Sequence, residues 1–234
     1  NKKLNNIFPV SYHNIGTELY NIIRTVIQTI MLTHPKFIAG STARTKWTKE
    51  IIPEEMTVPE YCQSAVGADF IKMADIVLDD SETRRTTVKT VPENETAWKE
   101  TAEHIYIIAR NNIIMKLGGT RTGMKARWGS YLCGHCVAER LNRHGVPNPG
   151  KMSVTNAHLY HTIETDLLLG NTWEFYSWKL PHTTVNVDIF GEMTTVIAQT
   201  YHAYETRCIE LFRSMTGHIP QLCDNADPTY KSKK

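Results

Sequence analysis

The chain has 234 residues, with 26 Lys and Arg, 24 Asp and Glu and ten His, for a formal net charge of +2. That length supports one large or two small domains with a real core. A composition of 41% hydrophobic and 21% charged residues excludes a disordered or collagen-like chain, and no apolar run approaches the roughly 18 residues that a helical membrane span needs.

In chain order, the first nine residues are polar with a few apolar anchors and read as an arm. Ile15, Leu19, Ile22, Ile23, Val26, Ile27, Ile30 and Met31 then repeat at i, i+3, i+4 and predict a helix over 15–33, stopped by Pro35. Residues 36–58 read as a loop. Pro59 suits the first position of a helix reaching about Leu78. The polar stretch 79–92 is the best internal linker, with Thr86 to Thr90 as a possible short strand.

Asn94 is a good N-cap, and Ala97, Trp98, Ala102, Ile105, Ile108 and Ala109 supply the stripe of a long helix to about Leu117, ended by Gly118-Gly119. A helix over 123–143 follows, then one from Ser153 to about Leu169. Thr172 to Ile189 is rich in aromatic and β-branched residues and reads equally as a hairpin or an extended loop. A last helix is expected over 192–215, and the Lys-Ser-Lys-Lys ending reads as a second arm. The expected fold is mainly α: an N-terminal arm (1–14), a helical lobe with a basic loop (15–92), a second helical lobe (93–218) and a C-terminal arm (219–234), with a basic groove between the lobes.

Charge is unevenly distributed. Residues 36–49 hold four bases and no acid, 50–109 hold five bases and 13 acids, and 110–151 hold eight bases against Glu139 alone. Like charge concentrated in this way repels itself unless an anionic partner or an acidic surface opposes it. Lys46 and Lys49 flank Trp47, with Arg44 before them, and aromatic stacking among cations is how single-stranded nucleic acid is held without reading its sequence. Gly118-Gly119-Thr120-Arg121-Thr122-Gly123 lacks the Gly-Lys-Ser/Thr ending of a nucleotide loop, yet a glycine-rich entry to a helix still presents backbone N–H groups to an anion. The candidate RNA contacts are Arg44, Lys46, Trp47, Lys49, Arg110, Arg121, Lys125, Arg127, Arg140 and Arg143.

Cys133-Gly-His-Cys136 has zinc-ligand spacing, and His158 and His161 share a helix face, so a Cys₂His₂ site is geometrically conceivable. Set inside a helical pattern, the cysteines read better as packed or partly exposed thiols, and neither a metal nor any other cofactor is assigned. The five cysteines are odd in number and scattered, which suits a reducing compartment. No Gly-x-Ser-x-Gly or His-Glu-x-x-His frame is present, so no catalytic residue is assigned and the chain is read as a non-enzyme.

In size, expected helix content, basic centre and terminal arms, the chain resembles the helical nucleoproteins and coat proteins of RNA viruses. No defining motif accompanies the resemblance: Arg127 is followed by Trp128 and Tyr131 without the aspartate of the flexuous plant-virus coat proteins. The resemblance implies a nucleocapsid protein of the virion and host cytoplasm. Such a protein binds the phosphate backbone of single-stranded RNA, multimerises through its arms and does not enter membranes. The alternatives are a helical protein-interaction module, or a zinc protein or enzyme using Cys133, Cys136, His158 and His161.

Overall fold

The computed structural model describes residues 22, 25, 26, 29, 33–52, 56–136 and 154–223. The elements run as α1 (Pro35–Ala39), α2 (Ser41–Trp47), α3 (Val58–Ser64), β1 (Ile71–Leu78), β2 (Val88–Pro92), α4 (Glu95–Lys99), β3 (His104–Arg110), β4 (Ile113–Thr120) and α5 (Met124–Leu132), which passes into a 3₁₀ turn at Cys133–Cys136. Then come α6 (Val154–Leu168), β5 (Trp173–Lys179), β6 (Thr184–Ile189), β7 (Glu192–Ile197) and α7 (Tyr201–Thr216).

A five-stranded antiparallel sheet in the order β2-β1-β5-β3-β4 forms the centre, and β6 and β7 make a separate hairpin. Helices cover both faces of the sheet. On one face Tyr106, Ile108, Trp173 and Phe175 pack with Trp98 of α4, Trp128 and Tyr131 of α5, and Leu159 and Ile163 of α6. On the other, Ile105, Ile107, Ala109 and Leu117 pack with Val58 and Tyr61 of α3 and with Cys208 and Phe212 of α7.

This corrects the mainly α expectation with its two helical lobes. Strands from both halves of the chain interleave in one sheet, because β5 lies between β1 and β3. The helix expected from Asn94 to Leu117 is one short helix and a hairpin. Asn94 does cap α4, its side chain accepting from the N–H groups of Thr96 and Ala97. The chain beyond Glu100 is extended. Residues 105–109 are fully buried on both sheet faces, so they form a continuous apolar run that fits a helical template as readily as a strand. The turn signal is Asn111-Asn112, where both residues have positive φ, 47° and 69°. Asparagine tolerates that region, and a two-residue loop with both residues in it matches the twist of a hairpin.

The same substitution of strand for helix occurs twice more. Residues 59–78 give α3 and then β1, and 192–197 is β7, with helix only from Tyr201. Residues 88–92 are the expected short strand, but they pair with β1 and do not form a linker. The helix after Ser153 is present as α6. The helix expected over 123–143 is helical to Leu132, and its continuation beyond 136 lies outside the described residues, as does most of 15–33.

β4 is an edge strand. Residues 220–223 cover part of its free side: the Leu222 N–H donates to the Met115 carbonyl (2.9 Å), and the Cys223 thiol bridges both backbone groups of Leu117. Such cover removes an unpaired strand edge, and the described cover ends at Leu117, one residue before Gly118.

Candidate active site

The β3–β4 hairpin and α5 build one polar cluster inside the packed face. Tyr106 on β3 is opposite Gly118 on β4. A Cβ at Gly118 would overlap the Tyr106 phenol, so only glycine lets that ring cross the neighbouring strand. The phenol meets the Tyr131 hydroxyl in a short hydrogen bond. Arg127, one helical turn before Tyr131, donates from Nε to Tyr106 (2.8 Å) and from Nη2 to Tyr131 (2.9 Å), with its guanidinium carbon 4.5 Å from the Tyr131 ring centre.

A guanidinium has five N–H donors, and two of Arg127's are taken here. No carboxylate pairs with this half-buried cation among the described residues. Burial weighs against its charge, but the two phenols outweigh that and hold the proton more firmly than usual. Burial also raises both phenols. Tyr106 lies well above the ordinary tyrosine value, and Tyr131 is pushed up to about 12 against the opposing pull of Arg127. Lys116 lies two residues before Gly118 on the same strand face, buried, with Nζ donating to the Leu222 carbonyl at 2.8 Å. Its charge reaches Tyr106.

The other face of the same dipeptide carries a carboxylate. A Cβ at Gly119 would come within 2.7 Å of the Tyr201 ring and 3.2 Å of Glu205 Oε2. The double glycine thus thins β4 until the phenols and Glu205 flank two Cα atoms about 3.8 Å apart. Glu205 is partly exposed, 3.7 Å from His202 Nδ1. Nearby, His104 is buried with Nδ1 on Ser177 and Nε2 unpartnered, and burial lowers its pKa.

The residues expected to contact RNA are not gathered into one groove. Arg44 is bound to Glu164 and the Phe37 carbonyl, and Arg110 to Asp166 at 2.7 Å. Trp47 packs edge-on against His158, with Lys46 5.3 Å from its ring, and its carbonyl accepts from His158 Nδ1 at 2.6 Å. The Lys49 backbone N–H is tied to Thr162. Arg121 and Lys125 are exposed, but Gly123 caps the helix between them, so Arg121 precedes the helix and Lys125 lies within it. Arg140 and Arg143 lie outside the described residues.

The zinc alternative is not assembled either. The Cys133 thiol contacts the Gly129 carbonyl, His158 serves Trp47 and His161 serves Glu164. The Cys136 side chain lies outside the described residues. Among the described residues no group of three or more His, Cys, Asp or Glu is placed to hold a metal, and no helix is long and apolar enough to cross a membrane.

Of this cluster the sequence reading named Arg127 alone, as an RNA contact, and did not name Tyr106, Lys116, Tyr131 or Glu205. The usable signal was Gly118-Gly119 read as strand positions, each making room for a specific side chain.

No family model matches the chain, and no curated protein matches it. Among solved structures, it is similar to the restriction endonuclease HPY188I in complex with product DNA, at 18% identity and a TM-score of 0.43, over 73% of this chain and 87% of that one. It is also similar to a mutant of bacteriophage T4 EndoII, at 21% identity and a TM-score of 0.42, over 65% of this chain and 95% of that one. These α/β nucleases, and not viral nucleoproteins, are the structural neighbours. The nucleocapsid expectation is corrected accordingly, with its capsid, virion and ribonucleoprotein terms, and so is the non-enzyme reading. The internal pairing of Arg44 and Arg110 gives the physical reason: basic residues that sequence reading counted as a groove are consumed by the fold.

Proposed function

We propose that this chain is an enzyme that hydrolyses phosphodiester bonds in nucleic acid, with DNA as the favoured substrate. The observation that carries the reading is Arg127, a desolvated guanidinium held on two buried phenols and opposed by no carboxylate among the described residues. A preorganised cation of this kind balances charge that develops on a phosphate in the transition state, and arginine's fork matches phosphate geometry. Tyr106 and Tyr131 stay protonated at neutral pH; one O–H is spent on their mutual bond, which leaves the other to donate to a phosphate oxygen. Lys116 adds a second positive charge, and exposed Arg121 and Lys125 extend it toward a polyanion.

Glu205 fits a hard divalent cation such as Mg²⁺, which takes one or two carboxylates together with substrate phosphate and water. Gly119 leaves its oxygen unobstructed. Such an ion supplies a more acidic water and charge neutralisation when bound. The protein's own share is Glu205 as ligand, with Arg127 and the phenols positioning the phosphate.

Supercoiled plasmid incubated with purified protein and Mg²⁺ tests the reading. Cleavage is expected, falling about 10²–10³-fold in Arg127→Ala with thermal unfolding little changed. No cleavage of duplex or single-stranded substrate by the wild type, or wild-type rates in the variant, would sink it.

A further inference from the structure

A cavity of about 350 Å³ lies away from the phenol cluster, where α1, the 79–87 loop, the 3₁₀ turn and α6 converge. Its floor is a prearranged polar network. The Thr87 N–H donates to the Tyr160 hydroxyl, Tyr160 and Thr87 share a hydroxyl–hydroxyl bond, and the Thr87 hydroxyl donates to Glu164. Glu164 also receives Arg44 and the Nδ1 side of His161. Its carboxylate stays ionised: burial alone would raise it, but the bonds from His161 and Arg44 overcome that and hold it below the usual range.

With Glu164 neutralised by Arg44, the remaining charged side chains at the cavity are cationic. Lys36 lends two of its three N–H bonds to the carbonyls of Asp79 and Ser81, which leaves one to give. Arg85 stands exposed at the rim, with no ion-pair partner among the described residues. His135 donates from Nδ1 to the Leu132 carbonyl, which accepts only, and its Nε2 has no hydrogen-bond partner among the described residues. The buried His161 is 2% exposed, and its Nε2 has no partner among the described residues. A buried polar atom left this way costs stability unless a ligand or water satisfies it.

We propose that this cavity binds a phosphate-bearing ligand of about mononucleotide size. Lys36 and Arg85 meet the anionic oxygens. His161 Nε2 exchanges a hydrogen bond with the phosphate, which near neutral pH offers both a P–OH and bare oxygens. The rings of His135 and Tyr160, 6.1 Å apart, give a flat organic portion something to lie against. Gly40, whose Cα faces Arg44 and Glu164, keeps the entrance narrow-walled without filling it. The volume falls within the range for small-molecule pockets, and it exceeds what inorganic phosphate alone would fill. The site stands apart from the cleavage reading and does not depend on it.

The test is calorimetric titration of the full chain with inorganic phosphate and, separately, adenosine 5′-monophosphate at constant ionic strength. Saturable binding is expected, tighter for the nucleotide. Arg85→Ala, at an exposed position, should weaken both about tenfold, the effect of losing one charged contact. His161→Asn keeps a donor near Glu164 but deletes Nε2, and should abolish binding. No saturable heat with either probe overturns the proposal, as does wild-type binding in both variants. Titration of a short duplex with the nucleotide saturating then separates the sources. Competition assigns the site to a DNA phosphate, and its absence to a free phosphate ester. In a cleavage assay Arg85→Ala should keep the wild-type rate per bound substrate, so failure here is distinguishable from failure of the nuclease reading.

Discussion

Arg44 and Arg127 were indistinguishable as letters in a basic segment, and the fold treats them oppositely. Arg44 lies 3.1 Å from the buried carboxylate of Glu164 and is neutralised there. Arg127 is held on two neutral phenols and keeps its full charge. Net charge along a chain therefore overstates what a partner can feel, because a buried carboxylate cancels a base far away in sequence, as Glu164 does Arg44. An arginine fixed by neutral groups is desolvated and oriented without being neutralised, and that is what a catalytic cation requires.

The sharpest way to break the comparison is Glu164→Ala. It strands Arg44 and removes acceptors from Thr87 and His161, so unfolding free energy should drop by about 3–5 kcal/mol. Molecules still folded should cleave at the wild-type rate. Equal loss of stability and specific activity would mean that the two regions are not separate. Arg127→Ala should do the reverse: about 10²–10³-fold in kcat/KM, which is roughly 3–4 kcal/mol of barrier, but under about 1 kcal/mol of stability because the phenols still have each other. Denaturant melts beside plasmid cleavage read both quantities. Tyr131→Phe removes one neutral hydroxyl, so both stability and rate should move by only about 0.5–1.5 kcal/mol.

The smallest effects are in pH. The Glu164 carboxyl is held below its ordinary value of 4.5, so its contribution is present above that pH and is lost as pH falls through the depressed value. Glu164→Gln should flatten that acid limb. Tyr131 is raised from 10.0 to about 12, so its contribution is intact below pH 10 and is lost as pH rises toward 12. Tyr131→Phe should flatten the alkaline limb alone. Melting temperatures across pH check both.

Helices were legible by their ends. α6 was expected from Ser153 to about Leu169 and runs Val154–Leu168, although none of its described side chains is exposed, and the Asn94 cap was read correctly although its helix lasts only to Lys99. The sheet was not legible because β3 is buried on both faces. Ile105-Tyr106-Ile107-Ile108-Ala109 therefore carries no period that favours strand over helix. The site was hidden for a related reason. Tyr106 reads as core, which it is, and only its opposition to Gly118 across the strands gives the phenol a role. Pairing between distant letters is tertiary information. Glu205, on a helix nearly 90 positions later, was further out of reach.

Among the described residues, Lys116 reaches its carbonyl partner through Leu222, and β4 gains its edge cover through Leu222 and Cys223. The candidate centre is therefore assembled from segments more than 100 residues apart, and it is complete only once residue 223 has left the ribosome. A nascent chain stopped short of that point would hold Arg127 and both tyrosines but lack the brace on Lys116. Under the proposed activity, this keeps unfinished copies inactive during synthesis.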